Sequence, residues 1–142
     1  MDYLKEKSLL VVGGTGFIGS ALLQKANKLG MNTTSLSLKK PINTNIIEST
    51  NYLITDTSNF ENLQEVFSDL KFNYIVNLAG YINHDLISNG GFSIVQSQIN
   101  LLNNLVSLFN VKKLIRFIQI GSSDEYGLNK SPQMETTRED PI

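Results

Sequence analysis

A chain of 142 residues with 41% apolar and 18% charged residues can bury one core and has the balance of a soluble globular domain. Its net charge of −1 gives no electrostatic footprint for nucleic acid or an anionic membrane, and its lack of cysteine excludes disulfides, thiol nucleophiles and thiolate metal sites. The single histidine excludes a histidine-built metal centre, and with neither a membrane-length apolar run nor a signal-peptide core in Met1–Lys7 the default expectation is cytoplasmic.

The chain is organised around Leu9-Leu10-Val11-Val12-Gly13-Gly14-Thr15-Gly16-Phe17-Ile18-Gly19-Ser20, an apolar run, a glycine turn and a helix start in unbroken succession. Gly13, Gly16 and Gly19 fall in a G-x-x-G-x-x-G spacing, a close relative of the dinucleotide fingerprint. One glycine serves the sharp exit from the strand, one the approach of backbone to a pyrophosphate, and one the close packing of helix on strand. The helix start aims free N–H groups and a partial positive charge at the phosphates. A purely steric strand-to-helix turn is the other reading of such glycines. The order of strand, turn and amphipathic helix favours nucleotide binding.

Phe17 to Leu29 has helical periodicity, with Ile18, Ala21, Leu22, Lys25, Ala26 and Leu29 expected inward and Gln24 and Lys28 in solvent. Gly30 suits a left-handed C-cap. A threonine- and serine-rich strand, Asn32 to Leu38, is ended by Pro41; residues 42–51 read mainly as loop, with a short apolar turn at Ile46-Ile47. A strand Tyr52–Thr55 closes at Asp56, and Ser58-x-x-Glu61 reads as a capping box for a helix whose Phe60, Leu63, Val66, Phe67 and Leu70 share a face. A buried strand Phe72–Gly80 and a loop at Ser88–Gly91 lead to a helix Phe92–Phe109 that aligns Val95, Ile99, Leu102, Leu105, Val106 and Phe109. A last strand, Lys113–Ile120, delivers Gly121-Ser122-Ser123-Asp124-Glu125-Tyr126-Gly127, and the polar tail from Leu128 to Ile142 has no period. This alternation predicts an α/β fold, a doubly wound parallel sheet in the order 3-2-1-4-5 with its ligand crevice at the carboxyl ends of strands one and four.

Gly13-Gly14-Thr15-Gly16-Phe17-Ile18-Gly19, Asn77-Leu78-Ala79-Gly80 and Gly121-Ser122-Ser123-x-x-Tyr126-Gly127, in this order and separation, resemble the extended short-chain dehydrogenase/reductase family of NAD(P)-dependent nucleotide-sugar epimerases, dehydratases and reductases. The resemblance spans nearly the whole chain. It implies a Rossmann domain in which Gly13, Thr15, Gly16, Phe17, Ile18 and Gly19 form the pyrophosphate turn. It also implies that Asp56, with Thr57 beside it, meets the adenine amino group and that Ala79, Gly80 and Tyr81 lie against the nicotinamide ribose. A helix N-terminal acid is the local alternative for Asp56 and a strand-ending turn for Gly80. Ser122, four positions before Tyr126, matches the hydroxyl that bonds the reacting sugar oxygen; a register shifted by one gives that role to Ser123, and a serine-rich turn is the local alternative. A nucleotide-sugar substrate and a homodimer are implied for the full-length enzyme.

Two departures from the family pattern matter. Ser37 stands where NAD-preferring members place an acid, followed by Lys39 and Lys40, which favours NADP(H), with NAD(H) and a merely solvated lysine pair as the alternative. The gapless register also lacks the Asp-Glu pair of the sugar dehydratases and tilts toward reductase or epimerase. His84 and Asp85 follow the fourth strand and read as a solvated pair more readily than as substrate contacts. Tyr126 and Lys130 have Tyr-x-x-x-Lys spacing, but Gly127 and Asn129 between them argue against the helix that the family's base requires. The expectation is therefore the front part of a larger enzyme, able to hold a cofactor but not to turn over a sugar, with uncovered apolar surface and weak folding cooperativity. A non-catalytic dinucleotide-sensing member of the same fold is the alternative, and a reductase of small carbonyls is a third.

Overall fold

The computed structural model describes residues 2–42, 46–67, 70–80, 91–108 and 114–140, without the side chains of Asp2, Ile94 and Asp124. After a short 3-10 turn at Asp2–Leu4, the elements are β1 (Ser8–Val12), α1 (Phe17–Lys28), β2 (Asn32–Ser37), β3 (Thr50–Ile54), α2 (Phe60–Phe67), β4 (Tyr74–Asn77), α3 (Gly91–Leu108) and β5 (Arg116–Gln119), followed by a 3-10 turn at Ser123–Tyr126. All strand pairs are parallel and the sheet order is β3-β2-β1-β4-β5, as the alternating pattern predicts.

β1 is the centre of this sheet because its apolar run can be buried on both faces. Leu10 and Val12 face one core with Leu36, Leu63, Phe67, Ile75, Leu101 and Leu105, under α2 and α3. Leu9 and Val11 face the other with Leu23, Ala26, Met31 and Val76, under α1. The first core also stacks Phe67 edge-on against Phe72, with ring centroids 5.9 Å apart.

The rotation of α1 differs from the periodicity reading. Its buried residues are Gly19, Leu23 and Ala26, whereas Ile18 is 62% exposed and Ala21 and Lys25 also face outward. The cause is Gly19, whose missing side chain lets the helix press on the turn before it and so sets which face turns inward. Leu22 and Leu29 form half-buried shoulders. Gly30 takes φ +77 just past the helix, the predicted left-handed cap.

Strand bounds also shift. β3 starts at Thr50, inside the span read as loop, because its hydroxyl meets Thr33 Oγ1 at 2.9 Å and accepts from Asn27 Nδ2 at 3.0 Å, while Thr33 donates to Asn27 Oδ1 at 2.8 Å. Residues that look like loop in sequence thus form a closed polar triad between α1, β2 and β3. β2 ends at Ser37, and Leu38 is 64% exposed. The predicted capping box is not formed. α2 begins at Phe60 behind Asn59, whose Oδ1 accepts from the Asn62 N–H at 3.0 Å, and Ser58 turns its hydroxyl to Asp56.

α3 carries two apolar stripes rather than one. Leu101 and Leu105 are buried in the sheet core, and Val95, Ile99 and Val106, expected beside Leu105, are about half or more exposed. Phe109 lies outside the described residues. Because α3 contains no charged residue, hydrophobicity does not mark which stripe points inward. Leu105→Ala should cost about 2–5 kcal/mol in urea unfolding, whereas Val106→Ala should stay within about 0.5 kcal/mol.

Candidate functional site

Because all five strands are parallel, their carboxyl ends lie along one edge and deliver the residues singled out from sequence. β1 leads into Gly13, β2 ends at Ser37, β3 leads to Asp56, β4 leads to Ala79 and β5 leads to Ser122. The chain reverses direction of sheet growth between β1 and β4, and a crevice opens at such a switch point in open α/β sheets.

The glycine turn lies at the centre of that edge. Gly13 has φ +80, and a Cβ there would stand 3.2 Å from the Leu78 carbonyl carbon and the Ala79 nitrogen. Glycine therefore serves both the turn and the approach of the β4 exit. A Cβ at Gly19 would meet the Gly13 carbonyl oxygen and stand 2.7 Å from Gly14 Cα, so the first turn of α1 rests directly on turn backbone. Gly16 is the N-cap of α1. Its N–H donates to the Gly13 carbonyl at 3.0 Å, and no side chain caps the helix and no acid stands in its first turn. Phe17 and Ile18 are 93% and 62% exposed, so the start of α1 is an open platform whose amides suit an anion.

On the β2 side, Ser37 is 6% exposed, and its hydroxyl accepts from the Thr15 N–H at 3.3 Å. Lys39 and Lys40 follow it as exposed cations. Asp56 is exposed, and its Oδ1 accepts from the Ser58 N–H at 2.9 Å and the Ser58 hydroxyl at 2.7 Å. These donors, the backbone N–H first and the hydroxyl second, hold its carboxyl below the usual aspartate range. Thr57 contributes its carbonyl to Asn104 on α3 at 3.4 Å.

At the β4 exit, Ala79 is half-buried against the core, while a Cβ at Gly80 would meet nothing within 4 Å among the described residues. Sequence reasoning named Asn77 as part of a motif but gave it no role. It is 2% exposed; its Oδ1 accepts from the Ala79 N–H at 3.1 Å and its Nδ2 donates to Gln119 Oε1 at 2.8 Å. This amide pair joins the ends of β4 and β5. A polar residue at the last position of each neighbouring strand was the signal available for it.

Ser122 and Ser123 are both exposed past β5, where the Ser122 carbonyl accepts from the Glu125 N–H at 3.3 Å and Ser123 opens the 3-10 turn. Gly127 follows with φ +51, so Tyr126 and Lys130 do not share a helix, as their neighbours in sequence suggest. Tyr81, His84 and Asp85 lie outside the described residues.

The model of the NAD dependent epimerase/dehydratase family matches residues 9–142. The chain belongs to that family. The matched span forms the family's nucleotide-binding region, with the Rossmann-like sheet described above. A search of curated proteins returns no match. Among solved structures, the chain is similar to the epimerase Mth375 of Methanothermobacter thermautotrophicus, at 26% identity and a TM-score of 0.75 over 96% of this chain and 42% of that one. It is also similar in fold to the UDP-Glc/GlcNAc 4-epimerase of Campylobacter jejuni, at 23% identity and TM-score 0.78 over 96% of this chain and 44% of that one. The Bordetella bronchiseptica enzyme WbmG, solved in complex with NAD, matches at 17% identity and TM-score 0.74 over 97% of this chain and 45% of that one. This family member therefore spans under half the length of each of these neighbours. Among its described residues, no helix is long and apolar enough to cross a membrane.

Since the folded state favours ionised Asp56, its contacts support the fold above the aspartate pKa of the unfolded chain, and this support fades as pH falls through the lower folded value. An NMR titration is expected to place Asp56 below the ordinary aspartate midpoint, and Ser58→Ala should raise that midpoint part of the way back.

Proposed function

We propose that this chain holds the adenosine and pyrophosphate parts of a nicotinamide dinucleotide, as the cofactor-binding portion of a nucleotide-sugar epimerase, dehydratase or reductase. The observation that carries the reading is the uncapped, acid-free start of α1 set behind Gly13, Gly16 and Gly19 at the switch point of the sheet. The glycines leave room where a side chain would otherwise stand, and the free amides there complement a doubly charged pyrophosphate.

The residues sort by what they would touch. The amides of Phe17 and Ile18 would face the pyrophosphate, with Thr15 in the turn before them held by its N–H on Ser37, and Asp56 with Thr57 would face the adenine. Ala79, Gly80 and Tyr81 would flank the nicotinamide ribose. Bound nicotinamide supplies a hydride acceptor or donor. Ser122 would hydrogen-bond the reacting sugar oxygen and orient it, with Ser123 filling that role in the shifted register. The absence of an acid at Ser37 and the exposed cations at Lys39 and Lys40 favour NADP(H) over NAD(H), because a carboxylate there would repel a 2′-phosphate. The names of the epimerase neighbours support a sugar nucleotide as substrate class. The tilt toward epimerase or reductase rests on the gapless alignment of Ser122 with Tyr126. The exposed stripe of Phe92, Val95, Ile99 and Val106 on α3 supports a homodimer in the full-length enzyme.

The test is titration of the purified chain with NADPH and NADH, followed by reduced-nicotinamide fluorescence. Saturable binding is expected, tighter for NADPH. Gly19→Ala, which drives a methyl into the Gly13 carbonyl, should weaken both by at least about tenfold, or about 1.4 kcal/mol. A chain that binds neither cofactor, or a Gly19→Ala variant that binds normally, overturns the reading.

A further inference from the structure

β2 is unusually polar for an interior strand of a parallel sheet, where runs of valine, isoleucine and leucine are the norm. Thr33, Thr34, Ser35 and Ser37 are all buried on it. Buried hydroxyls need partners, and at the cleft end of β2 that of Ser35 meets Ser37 while that of Ser37 also meets the glycine turn.

Three contacts tie this end of the strand to the turn. The Gly13 N–H donates to the Leu36 carbonyl at 2.8 Å, and the Thr15 N–H donates to Ser37 Oγ at 3.3 Å. Gly14 lies against Ser35 so closely that a Cβ there would stand 2.8 Å from Ser35 Cβ and would overlap its hydroxyl. The hydroxyls of Ser35 and Ser37 are 3.4 Å apart, a contact in which either can donate. On its other side, the Ser37 carbonyl accepts from the Thr55 N–H at 3.2 Å, one residue before Asp56. A single buried residue therefore touches the glycine turn through its side chain and the β3 exit through its backbone.

We infer that Ser37 is a positioning residue whose hydroxyl holds the Thr15 amide while its carbonyl holds Thr55, setting the separation between the glycine turn and the Asp56 turn for a ligand that spans both, the adenosine diphosphate half of a dinucleotide. The inference rests on the nucleotide reading above and deepens it. Because this hydroxyl is buried against Thr15 and Ser35, Ser37 is expected to act on both dinucleotides alike through the turn it holds, with any preference between them coming from elsewhere, Lys39 and Lys40 being the nearest exposed cations in sequence.

The experiment compares the full chain with Ser37→Ala and with Ser37→Thr, which keeps the hydroxyl. NADH and NADPH are titrated by fluorescence, and hydrogen exchange of the Thr15 amide is followed by NMR without ligand. Ser37→Ala should weaken both cofactors by about three- to tenfold, with their affinity ratio kept within about twofold. The Thr15 amide should exchange faster in Ser37→Ala and return to the parent rate in Ser37→Thr. A selective loss of one dinucleotide overturns the inference by making Ser37 a direct ribose contact, and so does Ser37→Ala with unchanged affinities and unchanged Thr15 exchange. If the parent chain binds neither dinucleotide, the nucleotide reading fails, and the Thr15 exchange rate still decides whether Ser37 holds the turn.

Discussion

The contact between Gly19 and the backbone of Gly13 and Gly14 is the constraint on which the cleft depends. Backbone resting on backbone leaves no side chain to adjust, so the rotation of α1, the depth of the turn and the exposure of the first helical amides follow together. Leu23 and Ala26 turn inward because Gly19 does, four and seven residues along the same helical face. Phe17 and Ile18 turn outward for the same reason.

The turn is also gripped from two sides. β4 approaches Gly13 through Leu78 and Ala79, and β2 approaches Gly14 and Thr15 through Ser35 and Ser37. Hydroxyls and small residues make the second approach possible, since a branched apolar side chain at Ser35 would collide where Gly14 now fits. The polarity of β2 is thereby explained at its cleft end by the turn and at its other end by the triad of Asn27, Thr33 and Thr50. A strand that looks poorly suited to a sheet interior is suited to this one because its partners are polar too.

Beyond the cleft, the surface of α3 bears on the family assignment. A chain spanning under half the length of its solved neighbours presents Phe92, Val95, Ile99 and Val106 to solvent on α3, while Ile118 of the outer strand is exposed on the other face of the sheet, beside Leu22 and Val76. An exposed apolar stripe on one helix is the kind of surface that marks association.

Much of this was legible in sequence because the signals are local. Strand, glycine turn and helix follow one another in Leu9 to Ser20, alternation of element types dictates a parallel doubly wound sheet, and Gly30 stands where a helix must stop. Motif spacing placed Ser37, Asp56, Ala79 and Ser122 at strand ends, and the parallel sheet puts those ends on one edge. What the residue order left undecided was orientation. Periodicity locates an apolar face only to within a residue or so on a helix, and α1 was settled by a backbone contact that no hydropathy pattern encodes. On α3, two apolar stripes of similar strength exist, and packing against α2 and the sheet selected Leu101 and Leu105. Ser58 offered a plausible cap, but Asn59 takes that place while Ser58 donates to Asp56; Ser37 found Thr15 because partners distant in sequence become available only when the sheet brings them together. Sequence determined which elements form and in what order they join the sheet; the tertiary structure decided which face each element shows and which polar groups meet, since those depend on close contacts between segments far apart along the chain.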